Sequence, residues 1–166
     1  MKLSFFVLML GLPALAFAAS NPDASFYKNA AEGGIAEVEA GQLAQDKGTS
    51  QPVKDFGAMM VKDHSAANEK LKALASSKDI TLPSSPSVGQ MASKTKLNVL
   101  SGDAFDKSYV KGQISAHRQT IALFRKEISS GQDADAKAFA TATLPTVRSH
   151  LKAITAIAAD MGIKTK

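Results

Sequence analysis

The sequence predicts an all-α fold, a four-helix bundle of two helical hairpins joined by a long crossover connection. Three observations carry this. Apolar residues recur at steps of three and four through four long segments. Short turns separate the first segment from the second and the third from the fourth, while residues 79–101 intervene between the two pairs. Each segment also places one residue of metal-ligand type near the middle of its apolar face: Glu37, His64, His117 and His150.

Before the first helix, Lys2 supplies a positive charge and residues 3–17 are almost continuously apolar, interrupted by Gly11 and Pro13. Ala16-Phe17-Ala18 then offers small residues at the two positions a signal peptidase reads. A signal peptide over residues 1–18, cleaved after Ala18, is expected, leaving residues 19–166 as one exported, periplasmic domain. A retained membrane anchor fits less well, because the run is short for a span and lacks basic stop-transfer residues.

The first long helix is expected over residues 23–47, since Asn21-Pro22-Asp23 combines a polar cap with proline and an acid, and Gly48 stops it. Phe26, Ala30, Gly33, Glu37, Ala40 and Ala44 share one face, with Tyr27, Ala31, Ile35, Val38 and Gly41 beside it. Gly33-Gly34 weakens a helix but suits close approach to a neighbour, or room for a ligand. Thr49-Ser50-Gln51-Pro52 opens the second helix, which continues to about Ser77 as an antiparallel neighbour. Its stripe reads Val53, Phe56, Met60, His64, Ala67, Leu71, Leu74.

The crossover contains Pro83 and Pro86 and a short helix near residues 88–100. Ser101-Gly102-Asp103 caps a third long helix over residues 104–129, striped by Val110, Ile114, His117, Ile121, Phe124 and Ile128. The fourth, over residues 133–161, buries Ala136, Phe139, Thr143, Val147, His150, Ile154, Ile157 or Ala158, and Met161. Pro145 lies inside it and is expected to bend it before His150.

The chain has only three histidines. If a buried face takes ~40% of helix positions, three independent residues all fall there roughly 6% of the time. Buried imidazoles without partners lose water without replacement, which a metal or a polar network must offset. Three imidazoles and one carboxylate suit a single transition-metal ion: zinc, iron, copper or manganese. Asp63 and Met60 are weaker additions to the set. Counted from the helix starts, His150 lies about a turn deeper than the other three, the least comfortable part of the geometry.

Composition removes several alternatives. With no cysteine there is no disulfide, no lipoprotein anchor and no covalently attached haem. Haem held by two histidines is a remote reading. The net charge is +5, but the basic residues are interspersed with acidic ones, so no nucleic-acid partner is expected. Weak attraction to anionic envelope or outer-membrane surfaces remains the electrostatic expectation. No nucleophile elbow or phosphate loop occurs.

Several blocks are similar to a known family. Residues 30–39 (Ala-Ala-Glu-Gly-Gly-Ile-Ala-Glu-Val-Glu), 56–64 (Phe-Gly-Ala-Met-Met-Val-Lys-Asp-His) and 105–109 (Phe-Asp-Lys-Ser-Tyr), with the turns at His117 and His150, resemble the DUF4142 family. The resemblance implies an exported ferritin-like bundle of the periplasm or outer membrane, and brings no defined activity. Di-iron ferritins use Glu-x-x-His pairs, whereas Val61, Ile114 and Val147 precede these histidines by three. A mononuclear site, or none, therefore fits better than a di-iron centre. Three functions compete: metal handling or envelope stress protection, a peroxide- or dioxygen-reactive enzyme on the same centre, and a metal-free envelope interaction module.

Overall fold

Residues 22–165 are described by a computed structural model. The expected signal peptide lies outside them. Five helices follow in order: α1 (Ala24–Lys47), α2 (Gln51–Ser76), α3 (Val88–Asn98), α4 (Gly102–Ser130) and α5 (Ala134–Asp160). The fold is the expected four-helix bundle, with α3 lying in the crossover against α1 and α4. Among the described residues no helix is long and apolar enough to cross a membrane.

Two buried aspartates fix the topology. Asp106, at the start of α4, accepts hydrogen bonds from the backbone of Thr49 and Ser50 at 3.0 and 2.9 Å. Asp23, before α1, accepts from the backbone of Gln132 at 2.8 Å and from Asp133. Thus α4 begins beside the α1–α2 turn, and α1 begins beside the α4–α5 turn. Each hairpin is tied at its turn by a carboxylate from the other. Charged acceptors suit these turns, where helix-terminal N–H groups would otherwise lack partners. The crossover must then travel the length of the bundle, and α3 supplies that length, started by a capping box between Ser87 and Gln90.

The buried faces follow the expected period with local corrections. In α1 the enclosed residues are Phe26, Tyr27, Ala31, Gly34, Glu37, Gly41 and Ala44, so the face is rotated from Ala30, Gly33 and Ala40. Close approach of α1 and α2 occurs at Gly41 and Gly57. A methyl group on Gly41 would sit 2.6 Å from the Gly57 carbonyl oxygen, and one on Gly57 would sit 2.7 Å from that of Gly41. Only glycine permits that contact. Gly34 packs on Asn68, while Gly33 has a single atom within 4 Å of its missing Cβ. In α5, Ala140 and Leu144 are buried in place of Phe139 and Thr143, which are half-covered. The helix continues through Pro145, which is exposed, as is Thr141, the residue whose carbonyl loses its donor.

The apolar interior falls into two clusters. One, near the α1–α2 turn, contains Val53, Phe56, Met60, Phe105, Tyr109, Val110, Ile114 and Ile154. The other, near the α4–α5 turn, contains Phe26, Tyr27, Leu71, Phe124, Leu144 and Val147. The three histidines and Glu37 are buried at intermediate positions along the helices.

Candidate metal centre

His64 of α2, His117 of α4 and His150 of α5 converge in the bundle interior, with 8%, 1% and 2% of their surfaces exposed. Their ring centroids form a near-equilateral triangle of 5.8, 5.5 and 5.5 Å. One ring nitrogen from each lies within 4.8 Å of the other two. The turn of depth that separates His150 in the linear count is closed by side-chain direction. α4 and α5 run oppositely and side chains lean toward their own helix N-terminus, so His117 and His150 lean toward each other. Phe56 meets His117 and His150 edge-on at 6.1 and 6.4 Å.

Two of the rings are oriented by hydrogen bonds at the nitrogen remote from a free one. His117 Nδ1 lies 2.9 Å from the Gln113 carbonyl oxygen, which can only accept, so Nδ1 carries the proton. His150 Nε2 lies 2.9 Å from Asp63 Oδ2. With an ionised Asp63, Nε2 is the donor. His117 Nε2 and His150 Nδ1 are left as bare lone pairs, and both are buried without a partner, as is His64 Nε2. This is the pattern of metal-ligating histidines, whose other nitrogen is held by a carbonyl or carboxylate.

Burial holds His64 down to about 3, with repulsion from His117 and His150 adding to it. His117 is lowered to about 4, again mainly by desolvation, against the opposing bond to Gln113. Both are therefore neutral, metal-competent imidazoles at ordinary pH.

The residues expected to join the histidines lie apart from that triangle in different ways. Glu37 Oε1 is 3.9 Å from His117 Nδ1, on the proton-bearing side of the ring rather than at the free Nε2. Desolvation lifts its carboxyl to about 7, with a bond from Gln113 opposing the rise. Asp63 approaches His150 from outside, as its orienting partner. Met60 is fully buried in the cluster near the α1–α2 turn. A cavity of about 30 Å³, near the size of one water, is lined by Gly33, Gly34, His64, Thr120 and Thr143 among others. The room expected beside the paired glycines is there.

Gln113 was not among the expected residues. Its backbone oxygen orients His117, and no side-chain pattern reports a backbone acceptor one turn away. Glu127, also passed over, is buried near Asp23 and Asp133, where desolvation first and the Asp23 charge second raise it to about 7.

Residues 12–157 match DUF4142, a domain of unknown function. The chain belongs to the DUF4142 family. In fold this DUF4142 chain is similar to a Streptomyces coelicolor protein described as secreted and as DUF305, known from a crystal structure. The TM-score is 0.75 at 16% identity, covering 90% of this chain and 99% of that one. At that identity the likeness speaks to the fold alone. No curated protein matches the DUF4142 chain.

Proposed function

We propose that this DUF4142 protein is exported and binds one divalent transition-metal ion through His64, His117 and His150, serving metal handling or protection in the cell envelope. The supporting observation is the set of three buried ring nitrogens without partners, two of them held as lone pairs by Gln113 and Asp63. His64 can supply a proton to only one of those lone pairs, so the protein's own groups leave the other unmet. An ion satisfies all three.

The donor set favours zinc or copper(II) over calcium or magnesium, which prefer oxygen. Tetrahedral ligand nitrogens stand roughly 3.3 Å apart at a metal distance of ~2.0–2.1 Å, so loading is expected to draw the rings inward. Export is supported by the apolar amino-terminal segment, and the structural relative described as secreted accords with it.

Elemental analysis of untagged protein from the envelope tests the reading, alongside His117→Ala. Near-stoichiometric metal that disappears in the variant is the expected result. No metal as isolated, and none taken up on reconstitution with zinc or copper, overturns it.

A further inference from the structure

The crossover helix carries its apolar stripe on the side away from the bundle. Among the described residues, the exposed large apolar side chains are Val88, Met91 and Val99, at 80%, 42% and 79%, and all three belong to α3 or its C-cap. Helical spacing puts them on one arc of roughly 100°, together with the exposed Ala92 and Thr95. Leu97, the one buried residue of α3, lies on the opposite side. Exposed apolar residues are ordinary when scattered singly, but a stripe of them along one helix marks a surface that something covers. Polar contacts hold α3 in this orientation: Lys94 pairs with Glu39 at 3.0 Å, and Lys47 donates to the Asn98 carbonyl oxygen.

Charge identifies the covering. Residues 80–102 contain two lysines and no acidic residue. Those lysines, Lys94 and Lys96, are exposed and border the stripe, one on each side. A second copy of the chain would set them against their own counterparts, because a two-fold contact pairs a patch with itself and like charges repel. A convex helix with an apolar crest and basic shoulders instead matches a surface that is negative at its headgroups and apolar just beneath. We propose that the outward face of α3 docks the protein on an anionic lipid surface. Val88, Met91 and Val99 enter the boundary between headgroups and acyl chains, and Lys94 and Lys96 meet lipid phosphates. Three apolar side chains and two lysines make a shallow, reversible contact that salt weakens.

The proposal does not depend on the metal reading. The chain contains no tryptophan, so one introduced at Val99 reports on this face alone. A chain that keeps residues 3–17 would adsorb through them, and a reporter on α3 separates the two contacts. Val99→Trp protein, exported and purified untagged, is titrated at low salt with phosphatidylglycerol vesicles and with phosphatidylcholine vesicles. A blue shift of its emission is expected with phosphatidylglycerol and not with phosphatidylcholine, while Ala138→Trp, at an exposed position of α5, stays unshifted. Adding Val88→Ser and Met91→Ser to Val99→Trp is expected to weaken vesicle affinity about tenfold, and adding Lys96→Gln about fivefold. All these positions are exposed, so the variants should melt like the parent. No shift at residue 99, an equal shift on phosphatidylcholine, an equal shift at residue 138, or undiminished affinity in both variants overturns the proposal. So does a shift that grows with protein concentration in the absence of vesicles, which gives the face to a second copy.

Discussion

Asp63 on α2 holds the ring of His150 on α5 through a 2.9 Å hydrogen bond to Nε2. The bond crosses between the hairpins, leaves Nδ1 free, and ties the basicity of a proposed ligand to a half-exposed carboxylate. Orienting partners of this kind typically carry a factor of ~10–100 in metal affinity. Asp63→Ala is expected to weaken zinc binding by about that factor while keeping the fold. Competition against a chromophoric chelator measures it, and an unchanged affinity would show that His150 needs no such support.

Acid should loosen the metal-free protein through two rings. Folded His64 and His117 titrate near 3 and 4, well below the ordinary 6.5. A depressed folded value means stability that is present above 6.5 and lost as pH falls toward 4 and 3. The loss by pH 4 is of order 3 kcal/mol per ring. Urea midpoints at pH 7.5 and 4.5 should therefore diverge, and less so in a His64→Leu/His117→Leu variant. Parallel profiles would unlink the histidines from folding.

Glu37 acts in the opposite direction. Its folded value is raised to about 7 from 4.5, so its stability is present below 4.5 and lost as pH rises through 7. Glu37→Gln is expected to gain up to about 3 kcal/mol on the native protein at pH 8.5 and nothing at pH 4. Thermal unfolding of the metal-free forms at the two pH values reads the difference.

Two glycine substitutions should differ in sign. Gly57→Ala places a methyl 2.7 Å from the Gly41 oxygen and 2.8 Å from the Ala44 side chain, forcing α1 and α2 apart. A loss of roughly 1–3 kcal/mol is expected, despite better helix propensity. Gly112→Ala meets nothing within 4 Å and should stabilise by about 0.5–1 kcal/mol. Denaturant midpoints of the pair check both.

The Asp106 tie should also be measurable. Asp106→Ala removes the acceptor for Thr49 and Ser50 N–H groups at a buried site, and a loss of about 2–4 kcal/mol is expected from two charge-assisted bonds. Hydrogen exchange of residues 49 and 50 should accelerate with it. Protection equal to the parent would assign the turn's order to something else.

Helix order, the crossover and the inward histidines were legible because a period of 3.6 alone determines which side of a helix meets its neighbours. Depth was less legible for His150, since the lean of a side chain depends on which way its helix runs in the assembled bundle. Glu37 shows a further limit. Its place on the face of α1 could be read from spacing, but whether it faces Nε2 or Nδ1 of His117 depends on a ring angle set by the Gln113 backbone. Two adjacent glycines stand out in a sequence, and the close approach expected of Gly33-Gly34 is met by Gly34 against Asn68 of α2. Gly41 and Gly57 stand alone in the chain, and only helix pairing brings them together.

The division of the apolar interior has a mechanical consequence. Each cluster draws on all four long helices, so either end of the bundle is knitted by itself, and the histidine level lies between them. Two of the three imidazoles come from one hairpin and the third from the other. An ion seated there would pin the two hairpins together at the level where apolar packing gives way to imidazoles.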